Sequence, residues 1–145
     1  LEAGTRMPTI VYWPRTVTPT TSSALLTQVD LYASLANLVG QQVASGDATD
    51  SENHLEAWLG RSEKGRDYML EEAYTLALRK GNWKFIRPKT GETPDWMKNK
   101  KVDSGLLPEI QLYNLKDDIG EKNNLAKDHP EIVKELSHKL ESILK

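Results

Sequence analysis

Two short stretches concentrate the side chains with which this chain could do chemistry. Asp50-Ser51-Glu52-Asn53-His54 gathers carboxylates, a hydroxyl, an amide and an imidazole just ahead of an apolar turn that starts at Leu55. Such a set can read sugar hydroxyls, which both donate and accept. Asp50 and Asn53 can equally accept from the backbone N–H groups that open the turn. His54 has no evident structural duty, so His54, together with Asn53, is a candidate ligand contact. The second stretch is basic. Arg79, Lys80, Lys84, Arg87, Lys89, Lys98, Lys100 and Lys101 face only Glu92 and Asp95, a local charge of about +6 in a chain whose net charge is −2. Trp96 lies inside it. A basic region beside an indole suits an anionic ligand such as a sulfated or phosphorylated sugar, with the ring available for stacking. A solvated, self-repelling lysine-rich loop has the same composition.

What is missing narrows the chemistry. There is no cysteine, hence no disulfide, thiolate metal site or cysteine nucleophile. His54, His129 and His138 fall on three separate segments, which argues against a three-histidine zinc site. No G-x-S-x-G elbow, phosphate-binding loop or H-E-x-x-H is present. Glu71 and Glu72 are adjacent and on a strand would point to opposite faces, one to solvent and one to a partner. The near-neutral balance disfavours a nucleic-acid binder, and no apolar run approaches the roughly 18 residues of a membrane span.

The elements that must position these residues follow from local pattern. Residues 9–13 are β-rich between Pro8 and Pro14 and predict a strand. Thr27 and Asp30 predict the opening of a helix carrying Leu31, Ala33, Leu35, Leu38 and Val39 and closed by Gly40. That helix is apolar on most sides and should be sandwiched, with room for its second partner to lie outside these residues. Residues 68–70, 74–79 and 83–87 predict strands. The last two are joined by Lys80-Gly81-Asn82 in a hairpin with Leu76, Leu78, Trp83 and Phe85 on one face. Residues 88–108 read as a long polar loop containing Trp96, and residues 110–115 as a further strand. Asp128, Glu131 and Pro130 predict the start of a terminal helix, with Ile132, Val133, Leu136, Leu140, Ile143 and Leu144 in one stripe. Trp13, Trp58 and Trp83 lie in patterned segments and read as core. The fold class is α+β: a small antiparallel sheet with the C-terminal helix packed on one face. The opening Leu1-Glu2-Ala3-Gly4 and the early apolar segments read as the continuation of a larger protein.

These residues resemble a family. Glu2-Ala3-Gly4-Thr5-Arg6-Met7-Pro8, leading to Trp13-Pro14, is similar to the E-G-G-x-R-x-P…W-P signature of formylglycine-dependent sulfatases. Gln28-Val29-Asp30-Leu31, Asp50-Ser51-x-Asn53-x-Leu55 and Leu59-Gly60 follow in that family's order. Leu76-Ala77-Leu78-Arg79-x-Gly81-Asn82-Trp83-Lys84-Phe85-Ile86 resembles its hairpin. Leu112-Tyr113-Asn114-Leu115-x-Asp117-Asp118-x-Gly120-Glu121-x-Asn123-Asn124-Leu125-Ala126 resembles its L-Y-[ND]-L…E-x-x-N-L motif. The resemblance spans essentially the whole chain.

It implies the C-terminal part of an alkaline-phosphatase-like α/β enzyme, with a four-stranded antiparallel sheet and a terminal helix. Residues 1–45 would end the catalytic domain and residues 46–145 would form the C-terminal subdomain. The implied parent hydrolyses sulfate esters, as its exported bacterial members do on sulfated glycans, and is periplasmic or secreted. Its formylglycine, its calcium and its sulfate-clamping lysines and histidines lie upstream. The chain itself then carries no catalytic residue, metal or cofactor and is inactive alone. Its partners are the upstream catalytic domain and a sulfated sugar, touched by His54, Asn53 and Trp96. Three departures stand out: Ala3 for the usual second glycine, Ile119 where proline is common, and His54 where an apolar residue is usual. A stand-alone module that binds anionic glycans, or a purely structural domain, is the alternative.

Overall fold

A computed structural model describes residues 2–72, 74–100 and 103–145, without the side chain of Ala3. It contains α1 (Glu2–Thr5), α2 (Asp30–Leu38), α3 (Leu55–Trp58), β1 (Met69–Glu72), β2 (Leu76–Lys80), β3 (Trp83–Ile86), α4 (Asp95–Lys100), β4 (Gln111–Asn114) and α5 (Pro130–Ile143). The chain forms two compact units. One joins Leu1–Met7 to Leu70–Lys145 and the other is Pro8–Met69.

The first unit is built on a four-stranded antiparallel sheet in the order β1-β2-β3-β4. The hairpin forms where the turn chemistry predicts it. Lys80 pairs with Trp83, and Gly81 takes φ +54° between them, a conformation that costs glycine little. Leu78 pairs with Phe85 and Phe85 with Leu112, so these three side chains share one face. The stripe of α5 packs there, with Leu136 and Leu140 fully buried. Each such leucine contributes about 2 kcal/mol by leaving water. The opposite face carries Ala77, Ile86 and Tyr113, and, unexpectedly for a sheet interior, Lys84. The outer edge of β4 is closed by side-chain and backbone bonds. Asn124 Oδ1 accepts from Leu112 N–H, Asn124 Nδ2 donates to the Ile110 carbonyl, and Leu125 N–H donates to the Leu112 carbonyl. An edge so covered offers no ladder to a second chain.

In the second unit α2 ends as its glycine predicts. Gly40 (φ +71°) donates to the Asn37 carbonyl and Gln41 to that of Ala36, the paired closure of a Schellman motif. The sequence-based expectation fails at residues 9–13 and at the start of α5. Residues 6–13 hold no strand, because a strand requires a hydrogen-bonding neighbour and among the described residues none pairs with this segment. Trp13 is accordingly exposed rather than core. Helix α2, for which the sequence leaves room for a second partner outside these residues, is covered on one side only: Asp30, Ala33 and Ser34 are buried, while Tyr32, Leu35, Leu38 and the following Val39 are exposed. At α5, His129 precedes the first turn without a side-chain cap, and Glu131 pairs with the His129 ring at 3.4 Å instead of reaching back toward Asp128.

Candidate functional site

The 50–54 loop of the second unit is fixed from below by α2. Asp30 is fully buried and anchors it. Its Oδ1 accepts from the Glu52 N–H at 3.0 Å and its Oδ2 from the Thr27 N–H at 3.2 Å. Arg66 lays its guanidinium on the same carboxylate, Nε at 3.0 and 2.9 Å and Nη2 at 2.6 Å, and Nη2 also donates to the Asp50 carbonyl. Burial would raise the Asp30 pKa, but the Arg66 hydrogen bonds and the two backbone donors outweigh it and hold the carboxyl below its ordinary value. The same bonds push the Arg66 pKa up, burial opposing them. Gly65 makes the approach possible: a Cβ there would lie 2.3 Å from the Leu25 carbonyl oxygen, to which Arg66 N–H donates. Two serines complete the anchoring. Ser51 Oγ accepts from Ala33 N–H, and Ser34 Oγ from His54 N–H, each at 3.0 Å.

This lattice presents the predicted ligand residues in a defined way. Asn53 Oδ1 accepts from Leu55 N–H at 3.1 Å, so the opening of α3 uses that oxygen. His54 does have a structural partner, contrary to expectation: Nε2 lies 3.1 Å from Glu52 Oε2, and its side chain is 11% exposed. Glu52 Oε1 in turn sits 3.2 Å from Arg66 Nη1. Asp30, Arg66, Glu52 and His54 therefore form one continuous chain of charge and hydrogen bonds.

Trp96 belongs to the first unit. It is not on a loop but on α4, 53% exposed, with Met97 buried beside it. The helix was illegible because six residues carry no full hydrophobic period. The basic stretch is not a bare cationic patch. Lys80 pairs with Glu135, Arg87 with Glu141 at 3.5 Å, and Lys98 with Asp95 at 3.0 Å, while Lys101 lies outside the described residues.

Arg79 and Lys84 lead to an arrangement that sequence reasoning missed. Lys84 is 2% exposed. Its Nζ lies 2.8 Å from Glu71 Oε2, 3.1 Å from Glu2 Oε2 and 3.3 Å from Glu121 Oε1. Arg79 Nη1 reaches the other Glu2 oxygen at 2.9 Å, and the Glu2 N–H donates to Glu121. Burial alone would lower the Lys84 pKa, but the three carboxylates overcome it and raise the pKa above its ordinary value. The neighbouring Tyr113 is pushed up to about 12 by burial and by the Glu121 charge. Glu71 is the paired member of the Glu71-Glu72 couple and Glu72 the exposed one, as alternation predicts. One signal for this centre was available: a lysine between Trp83 and Phe85 on a strand must point away from their face, into an interior where only a carboxylate can balance it. The adjoining cavity, lined by Thr5, Glu71, Thr75, Lys84 and Ser104, has a volume of about 20 Å³. That admits a water-sized group and not a sugar, so the centre is structural.

Calcium, implied by the resemblance for the parent, finds no fit in these residues. Among the described residues no His, Asp and Glu side chains converge as a metal-ligating group. Glu2, Glu71 and Glu121 close on an ammonium instead. The chain also has no cysteine and no C/S-x-P-x-R run from which a formylglycine is made. Among the described residues no helix is long and apolar enough to cross a membrane.

No family model matches the chain. Individual proteins do. An N-acetylgalactosamine-6-O-sulfatase of Bacteroides thetaiotaomicron is 43% identical over 144 residues, 98% of this chain and 28% of that protein. Arylsulfatase G of Rattus norvegicus is 28% identical over 143 residues, 90% of this chain and 26% of that protein. The chain thus spans about a quarter of the length of the curated relatives it matches. A solved structure from a Bacteroides thetaiotaomicron study of glycosaminoglycan metabolism superposes with a TM-score of 0.83 at 42% identity, over 90% of this chain and 27% of its own. A 2-O GAG sulfatase structure, at 22% identity and a TM-score of 0.52 over 79% of this chain, shares the fold.

Proposed function

The chain is a C-terminal region of the sulfatase family, and from that premise we propose that it completes an enzyme hydrolysing sulfate esters of glycans. The proposed substrate class is 6-O-sulfated N-acetylgalactosamine in glycosaminoglycans, the specificity named for the relative that is 43% identical. The catalytic groups, including the calcium and the formylglycine, belong to the upstream domain. This chain alone releases no sulfate. In the larger enzyme residues 1–45 finish the catalytic domain and residues 46–145 form the C-terminal subdomain. That division concerns contributions to the enzyme, since the compact units within the chain part elsewhere. Export to the periplasm or outside the cell goes with a glycan substrate.

One observation carries the supporting role. Ile10, Tyr12 and Val39 are 90, 85 and 69% exposed, and Tyr32 and Leu35 on α2, which Val39 follows, are exposed as well. A single exposed apolar residue needs no explanation, but a run of them along one segment and one helix face marks a surface that something covers. The occupant we propose is the upstream catalytic domain, with residues 9–13 acquiring there the strand partner they lack here. His54, Asn53 and Trp96 are the proposed contacts to the sugar.

The test is to express the intact protein with formylglycine maturation. Sulfate release is then assayed from an aryl sulfate and a panel of sulfated monosaccharides, N-acetylgalactosamine 6-sulfate included. Turnover by the intact protein and none by residues 1–145 is expected. Absence of turnover from an intact protein that bears the formylglycine overturns the proposal and leaves an anionic-glycan-binding or structural module.

A further inference from the structure

We propose that Glu52 is a positioning residue that sets the tautomer of His54, so that the ring meets its ligand as a hydrogen-bond acceptor for a sugar hydroxyl rather than as a donor to the sulfate. The inference rests on the reading of His54 as a sugar contact. A neutral imidazole has one donor and one acceptor nitrogen, and the bond made by one decides the role of the other. An ionised carboxylate only accepts. In the neutral ring, a bond from Nε2 to Glu52 Oε2, 3.1 Å away, keeps the proton on Nε2 and leaves the lone pair on Nδ1. Among the described residues no protein group bonds Nδ1.

The carboxylate cannot easily turn away from this task. Its other oxygen is 3.2 Å from Arg66 Nη1, its own N–H is tied to Asp30 Oδ1, and Arg66 is locked by three contacts to the same Asp30. The backbone of His54 is held separately through Ser34 Oγ. Ring position and ring tautomer thus have different anchors, and Glu52, whose side chain is half exposed, can be changed without opening the core. An acceptor nitrogen distinguishes the groups of a sulfated sugar, because a hydroxyl can donate to it and a fully ionised sulfate cannot.

The experiment uses the intact enzyme and compares kcat/KM on N-acetylgalactosamine 6-sulfate with kcat/KM on an aryl sulfate, which has the ester but no sugar hydroxyl. His54→Ala tests the premise. It is expected to lower the sugar-to-aryl ratio about tenfold through KM, the loss of one hydrogen bond to a substrate hydroxyl. If that ratio does not move, His54 is not a sugar contact. Glu52→Leu tests the inference and is expected to lower the ratio to a similar degree, and Glu52→Gln, whose amide oxygen still accepts from Nε2, is expected to restore it to within about twofold. A Glu52→Leu ratio equal to wild type, with His54→Ala still selective, overturns the positioning role. So does a Glu52→Gln enzyme as impaired as Glu52→Leu, which would make charge rather than tautomer the cause.

Discussion

Each unit is organised around a cation held by carboxylates, the buried Lys84 in the first and the largely covered Arg66 in the second, and the two are used in opposite ways. In the first, the Lys84 ammonium is a point charge shared by Glu2, Glu71 and Glu121, which come from α1, β1 and the loop after β4. Without direction of its own, an ammonium suits partners that arrive from several sides, and it binds the N-terminal segment to the sheet. In the second, the Arg66 guanidinium is a planar fork seated on one carboxylate, Asp30, with its remaining donors aimed at the 50–54 loop. A fork imposes orientation. The comparison separates cohesion from presentation. The lysine holds distant segments together around a cavity too small for a ligand, and the arginine aims a loop that carries His54.

The largest expected effect breaks the lysine side. Lys84→Met keeps the stem and removes the charge, leaving three buried carboxylates facing one another, which costs about 3–5 kcal/mol. Urea denaturation checks this, and adding Glu71→Gln to the variant should recover part of the loss. The raised Lys84 pKa gives the wild type stability that is present below about 10.4, the unfolded value, and lost as pH rises through the higher folded value. Tyr113, held neutral up to about 12, adds to the same alkaline loss above about 10. The alkaline limb of a pH–stability curve should therefore be shallower in the Lys84→Met protein.

The arginine side should respond at the other end of the pH scale. Asp30→Asn removes the acceptor charge beneath Arg66, with an expected cost of about 2–3 kcal/mol near neutrality. Because the folded Asp30 pKa is depressed, its stabilisation is complete above about 3.9 and is lost as pH falls toward the folded value. The variant should thus converge with wild type as pH falls toward the folded Asp30 value.

Trp96→Ala sharpens the distinction at the small end. Half exposed on a short helix, Trp96 belongs to neither centre, and its loss should change stability by no more than about 0.5 kcal/mol. A measurable rise in KM on the sulfated sugar is expected from the intact enzyme, so that presentation is disturbed without cohesion.

Local pattern decided much of this molecule. The Gly81 turn with alternating Leu78 and Phe85 specifies the hairpin, and the 3.6-residue stripe through Leu136 and Leu140 specifies α5, because each is written in residues a few positions apart. The motif order from Glu2 to Ala126 pointed to the family. Tertiary structure alone decided the rest. Glu2 meets Lys84 across 82 residues and Glu121 across 119, and Arg66 meets Asp30 across 36. No periodicity connects such positions. The same reason explains the failed strand at 9–13. Its residues favour extension, but extension becomes a strand only when another segment supplies the hydrogen bonds. It explains His54 as well, whose role as a ring with one nitrogen already engaged depends on where the fold carries Glu52 and Arg66.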